Sequence, residues 1–219
     1  MSTAIYSIPF LLSGLAVTLT MALLVVVLSL LLGGTLGMAV TYGPRPLRWT
    51  VRLFSDVVRG IPILVLIFFV FYGLPATGIN LPNFAAATVA LVVYKTAQTV
   101  EYVRGAVQSI HDGQTEAAKS IGLTFEQRMA YVILPQVIAQ SLQPIANIAI
   151  AFVKNSSLLM IIGLFDLLGS ARSSLYDENW QGFYKELYLF VGVIYFVICM
   201  YIQHYVASIE RERRARLYQ

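Results

Sequence analysis

Charge is scarce in this 219-residue chain: Asp, Glu, Lys and Arg together make up 12%, against 58% hydrophobic residues. That balance excludes an ordinary soluble globular domain. The scarcity is also uneven, with no charged residue from Met1 to Pro44, from Gly60 to Tyr94, or from Met129 to Val153. A single cysteine, Cys199, rules out an internal disulfide and leaves the redox compartment unread. The two histidines, His111 and His204, stand at the edges of apolar runs without metal-ligand spacing, so no metal centre and no histidine-based catalytic set can be assembled. The string G-x-x-x-x-G-K-S/T is missing, and with it the loop that would cradle nucleotide phosphates. The chain is therefore not expected to be an enzyme or to hydrolyse ATP. It also lacks an internal repeat, so a two-fold pathway would have to come from pairing with a second subunit. The N-terminus has no basic n-region and is not expected to be a cleaved signal.

What is present is apolar length. A hydrocarbon core about 30 Å thick asks for roughly 20 apolar residues per helix. Five runs meet that demand, at Ile8–Val40, Val51–Tyr72, Phe84–Ile110, Gln136–Ile162 and Leu187–Ala207. The expected fold is an all-α membrane protein with five transmembrane helices in one transmembrane domain over residues 1–219. Basic residues set the orientation. Arg45, Arg48, Arg52 and Arg59 surround the first connection, while Gly73 to Asn83 holds no charge. Arg104, Lys119 and Arg128 surround the third connection, and Arg211, Arg213, Arg214 and Arg216 mark the tail. The N-terminus is expected outside and the C-terminus in the cytoplasm, with the tail arginines able to touch anionic membrane lipid. The net charge of +4 is explained by this orientation and gives no reason to invoke nucleic acid.

The connection from Asp112 to Pro135 is polar and helix-prone. Asp112 is read as an N-cap, followed by the helix formers Glu116, Ala117, Ala118 and Lys119. Gly122 supplies a stop, and Thr124 with Gln127 spells a capping box that opens a second short helix. Glu116-Ala117-Ala118, Gly122 and the ending Val132, Leu134, Pro135 closely resemble the EAA loop of ABC importer permeases. Other stretches carry a similar likeness to the polar amino-acid permeases of that superfamily. They are Leu11-Leu12-Ser13-Gly14-Leu15 with Thr18-Leu19, Arg59-Gly60-Ile61-Pro62, Glu101 to Ile110, and Lys154-Asn155-Ser156-Ser157-Leu158. Two positions depart from the family pattern: Gln98 stands where a tyrosine is common, and Lys95 where a small residue is.

Several residues have a physical meaning apart from the resemblance. Gly33 and Gly37 have the GxxxG spacing that lets helices approach closely. Arg52, Asp56 and Arg59 share a helical face as a charge ladder, and Pro62 is a break. Lys95 lies about 16 Å along the third span, near mid-membrane, where a charge needs a partner or a wet cavity. Two readings stay open for it: pairing with an acidic group such as Glu101, or facing the pathway to meet a substrate carboxylate. Lys154 either opens a polar site or snorkels to an interface. The stretch from Ser170 to Glu186, with Tyr176, Asp177, Glu178, Asn179 and Trp180, is either a docking surface for an external protein or a solvated connector.

The resemblance implies a type I ABC importer permease in the bacterial cytoplasmic membrane. It implies a second permease subunit, identical or paralogous, two cytoplasmic ATP-binding subunits and an external solute-binding protein. ATP would be bound by the partners, so this chain would hold no cofactor. Glu116, Ala117, Ala118 and Gly122 would couple to the ATPase. Lys95, Gln98, Thr99, Glu101, Lys154, Asn155 and Ser156 are the candidate substrate residues. A proton- or sodium-driven carrier and a membrane anchor are the competing classes.

Overall fold

The fold was analysed in a computed structural model, which describes the backbone of residues 2–176 and 184–217 and the side chains between 9 and 212 within them. Among the described residues there are helices and no strands. In chain order these are α1 (Ser2–Tyr42), α2 (Arg45–Gly60), α3 (Ile63–Phe68), α4 (Asn83–Gln108), α5 (Asp112–Ser120), α6 (Phe125–Arg128), α7 (Leu134–Asn155), α8 (Leu167–Ser174) and α9 (Tyr184–Leu217). A π-turn and a 3-10 segment follow α3, a second π-turn (Met129–Ile133) links α6 to α7, and a 3-10 segment (Ser156–Ile162) extends α7.

Among the described residues, three stretches are long and apolar enough to cross a membrane: Pro9–Tyr42, Phe125–Ile162 and Tyr184–Glu212. Arg45–Gly60 and Ile63–Thr77 make a fourth only as a pair bent by 104°. The sequence suggested one kinked helix there. Instead Ile61 and Pro62 both adopt extended backbone, because a proline restricts its predecessor as well as itself. The chain leaves the helix and restarts in a new direction. α4 is not among the apolar spans, since it carries Lys95, Gln98, Glu101 and Arg104. It packs against α1, α2, α3 and α7, and a helix sheathed in protein need not be apolar all round.

The contact between α1 and α4 is close because of two glycines. A Cβ on Gly37 would lie 2.7 Å from Val103 Cβ, and one on Gly33 would strike Thr99. Gly34, on another face of α1, meets nothing within 4 Å. Gly33→Ala is accordingly expected to cost about 1–3 kcal/mol through overpacking, seen as a lower unfolding temperature in detergent. Gly34→Ala should leave that temperature unchanged or slightly raised, because alanine is the better helix former. Equal shifts in the two variants would refute the close-packing account.

The polar connection matches its local signals with two corrections. Gly122 has φ +79°, and the bonds Leu123 N to Ala118 O (3.1 Å) and Gly122 N to Lys119 O (2.9 Å) close a Schellman motif. The Thr124–Gln127 capping box is formed in both directions. The N-cap of α5, however, is His111, whose Nδ1 accepts from Gly113 N at 3.2 Å, not Asp112. Nor is the second helix short: Phe125 begins a continuous stretch to Ile162. Pro135 does not end it, because the π-turn just before adjusts the register and a proline in the first turn of α7 has no intrahelical donor to lose.

Candidate functional site

Two polar groups are buried where the helices pack together. The first is on α4. Lys95 is 1% exposed, and its Nζ donates to Gln98 Oε1 at 3.2 Å. Glu101 does not pair with it; instead Glu101 holds Arg104 at 2.6 Å, and Arg104 also donates to Gln108 at 2.8 Å. Among the described residues Lys95 therefore has a dipole for a partner and no anion. Thr99 donates to Lys95 O at 2.8 Å and is buried on the α1 side, while the Thr96 hydroxyl is buried without a partner. Ser55 donates to Ala97 O at 3.0 Å and fixes α2 against this part of α4. The charge ladder of α2 is half formed, with Arg59 on Asp56 at 2.8 Å and Arg52 outside the pair.

The second group lies where α7 gives way to the 3-10 segment. Lys154 is exposed and Asn155 half-buried, while Ser156 is fully buried. Lys154 borders a cavity of about 480 Å³ against α9, lined also by Tyr195, Cys199 and Gln203. A neighbouring space of about 290 Å³ reaches from Lys154 and Ser157 to Tyr188. Lys95 lines neither, so the two lysines open onto different surroundings.

Sequence reasoning assigned no role to the residue that organises this end. Asp166 is fully buried. It accepts from Ser156 Oγ (2.8 Å), Tyr195 OH (2.7 Å) and Gly169 N (2.9 Å). It thus caps α8 and joins the end of α7 to α9. The next residue carries the network to α1, because Leu167 N donates to Thr18 Oγ1 at 3.1 Å. A buried carboxylate needs several donors, and an Asp inside Leu-Phe-Asp-Leu-Leu was the only signal the sequence offered.

The α5 hairpin is exposed. Glu116 and Ala117 face solvent, Ala118 is buried, and Gly122 makes the turn. Ile121 is 76% and Phe125 52% exposed. Phe125 also packs edge-on against Tyr42 at the end of α1, with ring centroids 5.8 Å apart. The remaining polar stretch, from Asp177 to Trp180, lies outside the described residues, as do the side chains of Arg213, Arg214 and Arg216.

Helices long and apolar enough to cross a membrane, with polar groups buried between them, define an integral membrane protein. The chain belongs to the family of binding-protein-dependent transport system inner membrane components, whose model matches residues 29–214, and it is an inner-membrane protein. It is 37% identical to the probable glutamine ABC transporter permease GlnM of Bacillus subtilis over 70% of each chain. It is 31% identical to the arginine transport system permease ArtQ of the same organism, over 98% of this chain and 97% of that one. The glutamine transport system permease GlnP of Escherichia coli K12 is 30% identical over 95% and 94%. Among solved structures, an amino acid ABC transporter with histidines superposes with a TM-score of 0.87 at 31% identity, covering 96% of this chain and 97% of that chain. The inward-facing MetNI methionine transporter shares the fold at a TM-score of 0.76 and 23% identity, over 93% and 95%.

Proposed function

We propose that this chain is a single-domain permease that moves a polar amino acid inward through an ABC importer. In this reading it crosses the membrane five times, with the N-terminus outside and the C-terminus in the cytoplasm, and its hairpin couples it to an ATPase. The observation that carries the reading is the hairpin itself. Its two helices are capped by a Schellman motif and a capping box, so its shape is held locally. It nevertheless leaves Ile121 largely exposed and about half of Phe125 open beside its contact with Tyr42. Exposed apolar side chains on a rigid polar loop suit a protein groove. The basic residues flanking the first and third connections and in the tail support the orientation. ATP is then held by two partner ATPases, a second permease completes the pathway, and an external binding protein delivers the solute. The named relatives carry glutamine and arginine, which supports an amino-acid cargo.

Within that reading Lys154 is the first candidate to receive the substrate carboxylate, because it is exposed to a cavity at the mouth of a polar segment, with Asn155 and Ser156 beside it. Lys95, with Gln98, Thr99 and Glu101 on its helix, is closed in this conformation and would need the helices to part.

The test is uptake into proteoliposomes holding the permeases, the ATPases and the binding protein. Uptake should require ATP on the ATPase side and persist with an uncoupler. Lys154→Gln should raise the KM for substrate about 10-fold or more, since a charge-assisted contact is worth roughly 1.5–3 kcal/mol. Unchanged KM in both Lys154→Gln and Lys95→Gln would rule out the carboxylate role. Uptake that collapses with the uncoupler at constant ATP would rule out the class.

A further inference from the structure

Away from both lysines, α1, α4 and α7 part to leave a cavity of about 640 Å³, bounded within residues 30–38, 99–103 and 134–148. Among the described residues no charged side chain lines it. Its walls are mostly aliphatic, and Gly34 contributes open space, since a Cβ there would meet nothing within 4 Å. Leu31, Leu134 and Ile138 stand exposed along its rim. Ser141 in its wall and Lys154 are 13 residues apart, which is about 140° around α7 at 3.6 residues per turn. The cavity therefore opens on a different side of α7 from the spaces that Lys154 borders.

One polar atom in that wall has no match. Ser141 is 4% exposed, and among the described residues its hydroxyl has no hydrogen-bond partner. The neighbouring threonines are satisfied on their own helices: Thr35 donates to Leu31 O and Leu32 O at 3.0 and 2.9 Å, and Thr99 to Lys95 O at 2.8 Å. A buried hydroxyl left unpaired is costly. Water does not answer it, because a buried water needs about two to four polar partners and these walls are too apolar to supply them. What fits is a long apolar molecule that carries an acceptor. Depth says which. Tyr102 and Val103 lie about 10–12 Å beyond Lys95 along α4. With Lys95 near mid-membrane, the cavity spans the leaflet on the hairpin side, whose hydrocarbon is about 15 Å deep. Acyl chains fill that layer, and their ester carbonyls stand at its edge.

We propose that the cavity is a phospholipid site, in which one acyl chain lies between α1 and α7 over α4 and the Ser141 hydroxyl donates to that chain's ester carbonyl. An apolar space of roughly 300–1,000 Å³ with one placed polar group is the usual form of a ligand site. Such a site requires membrane insertion but no particular solute.

The test is native mass spectrometry of the assembled transporter, stripped of lipid in detergent and then given diacyl or dialkyl-ether phosphatidylglycerol. The ether lipid lacks the carbonyl. The diacyl lipid should be retained about two- to tenfold more, the net worth of one hydrogen bond, and Ser141→Ala should abolish the preference. Gly34→Leu, which fills the space, should lower retention of both lipids several-fold. A phosphatidylglycerol with a diazirine on its acyl chain should label residues 134–148. Retention without preference for the ester, or a preference that survives Ser141→Ala, would overturn the proposal. Undiminished retention by a folded Gly34→Leu chain would do the same. So would labelling of the exposed Phe196 and Tyr201 on α9 but not of residues 134–148, since protein would then cover the cavity. The ester preference and the labelling pattern are read on the unaltered chain, so a Gly34 variant that fails to fold leaves the test standing.

Discussion

Gly122→Val is expected to cut ATP-driven uptake by more than tenfold while the membrane helices stay folded. Gly122 turns the hairpin with φ +79°, a region where a β-branched residue is a genuine outlier. The strain of about 1–3 kcal/mol is largest if the Schellman turn is kept, so the turn opens instead. Opening it releases the two bonds from Leu123 and Gly122 to Ala118 and Lys119 and re-aims α5 relative to α6. No Cβ clash complicates the reading, because nothing lies within 4 Å of the position. The damage is therefore conformational and confined to the hairpin. Gly105→Ala is the control, being equally uncrowded and inside α4. Circular dichroism should report unchanged helicity in both variants, and only Gly122→Val should lose stimulation of the partner ATPase. Uptake within twofold of the unaltered protein would refute the coupling role.

Much of this chain is legible because its strongest signals are local. Pro62, Gly122 and the Thr124–Gln127 pair each act within one turn of backbone, so their residue types decide the outcome wherever the helices pack. Gly33 and Gly37 work across helices, yet their spacing states the requirement in advance. The features that were not legible depend on distant partners. Asp166 meets Ser156 and Tyr195, 10 and 29 residues away, and no periodicity announces that meeting. Lys95 bonds Gln98 one turn on, whereas Glu101, six residues away, points about 120° around the same helix and holds Arg104. The second helix of the polar connection was expected to be short, and its continuation from Phe125 to Ile162 was not legible because the π-turn Met129–Ile133 that leads into Pro135 has no sequence signature of its own. The bend after α2 was seen as a kink, because its size depends on two extended residues rather than on one missing donor.

Asp166→Ala is expected to be the most destabilising single change in the described structure. Its carboxylate collects three donors in a fully buried setting, and removing it strands the Tyr195 hydroxyl and the Gly169 N–H. Ser156 keeps a bond to Val153 O at 2.9 Å, so it is stranded less. Breaking buried charge-assisted bonds costs roughly 3–5 kcal/mol when the partners stay behind. Tyr195→Phe removes one donor together with its own desolvation cost, and about 1–2 kcal/mol is expected. Asp166→Asn should fall between, since an amide oxygen accepts from one neighbour but its NH2 must find an acceptor. A double-mutant cycle over Asp166 and Tyr195, read as unfolding temperature and urea midpoint in detergent, separates this network from simple loss of volume. Strict additivity would mean that the two residues do not act as a unit. Because Ser156 directly follows Lys154 and Asn155, Tyr195→Phe should also raise the uptake KM while Vmax holds. A change in Vmax alone would place the network outside the solute path.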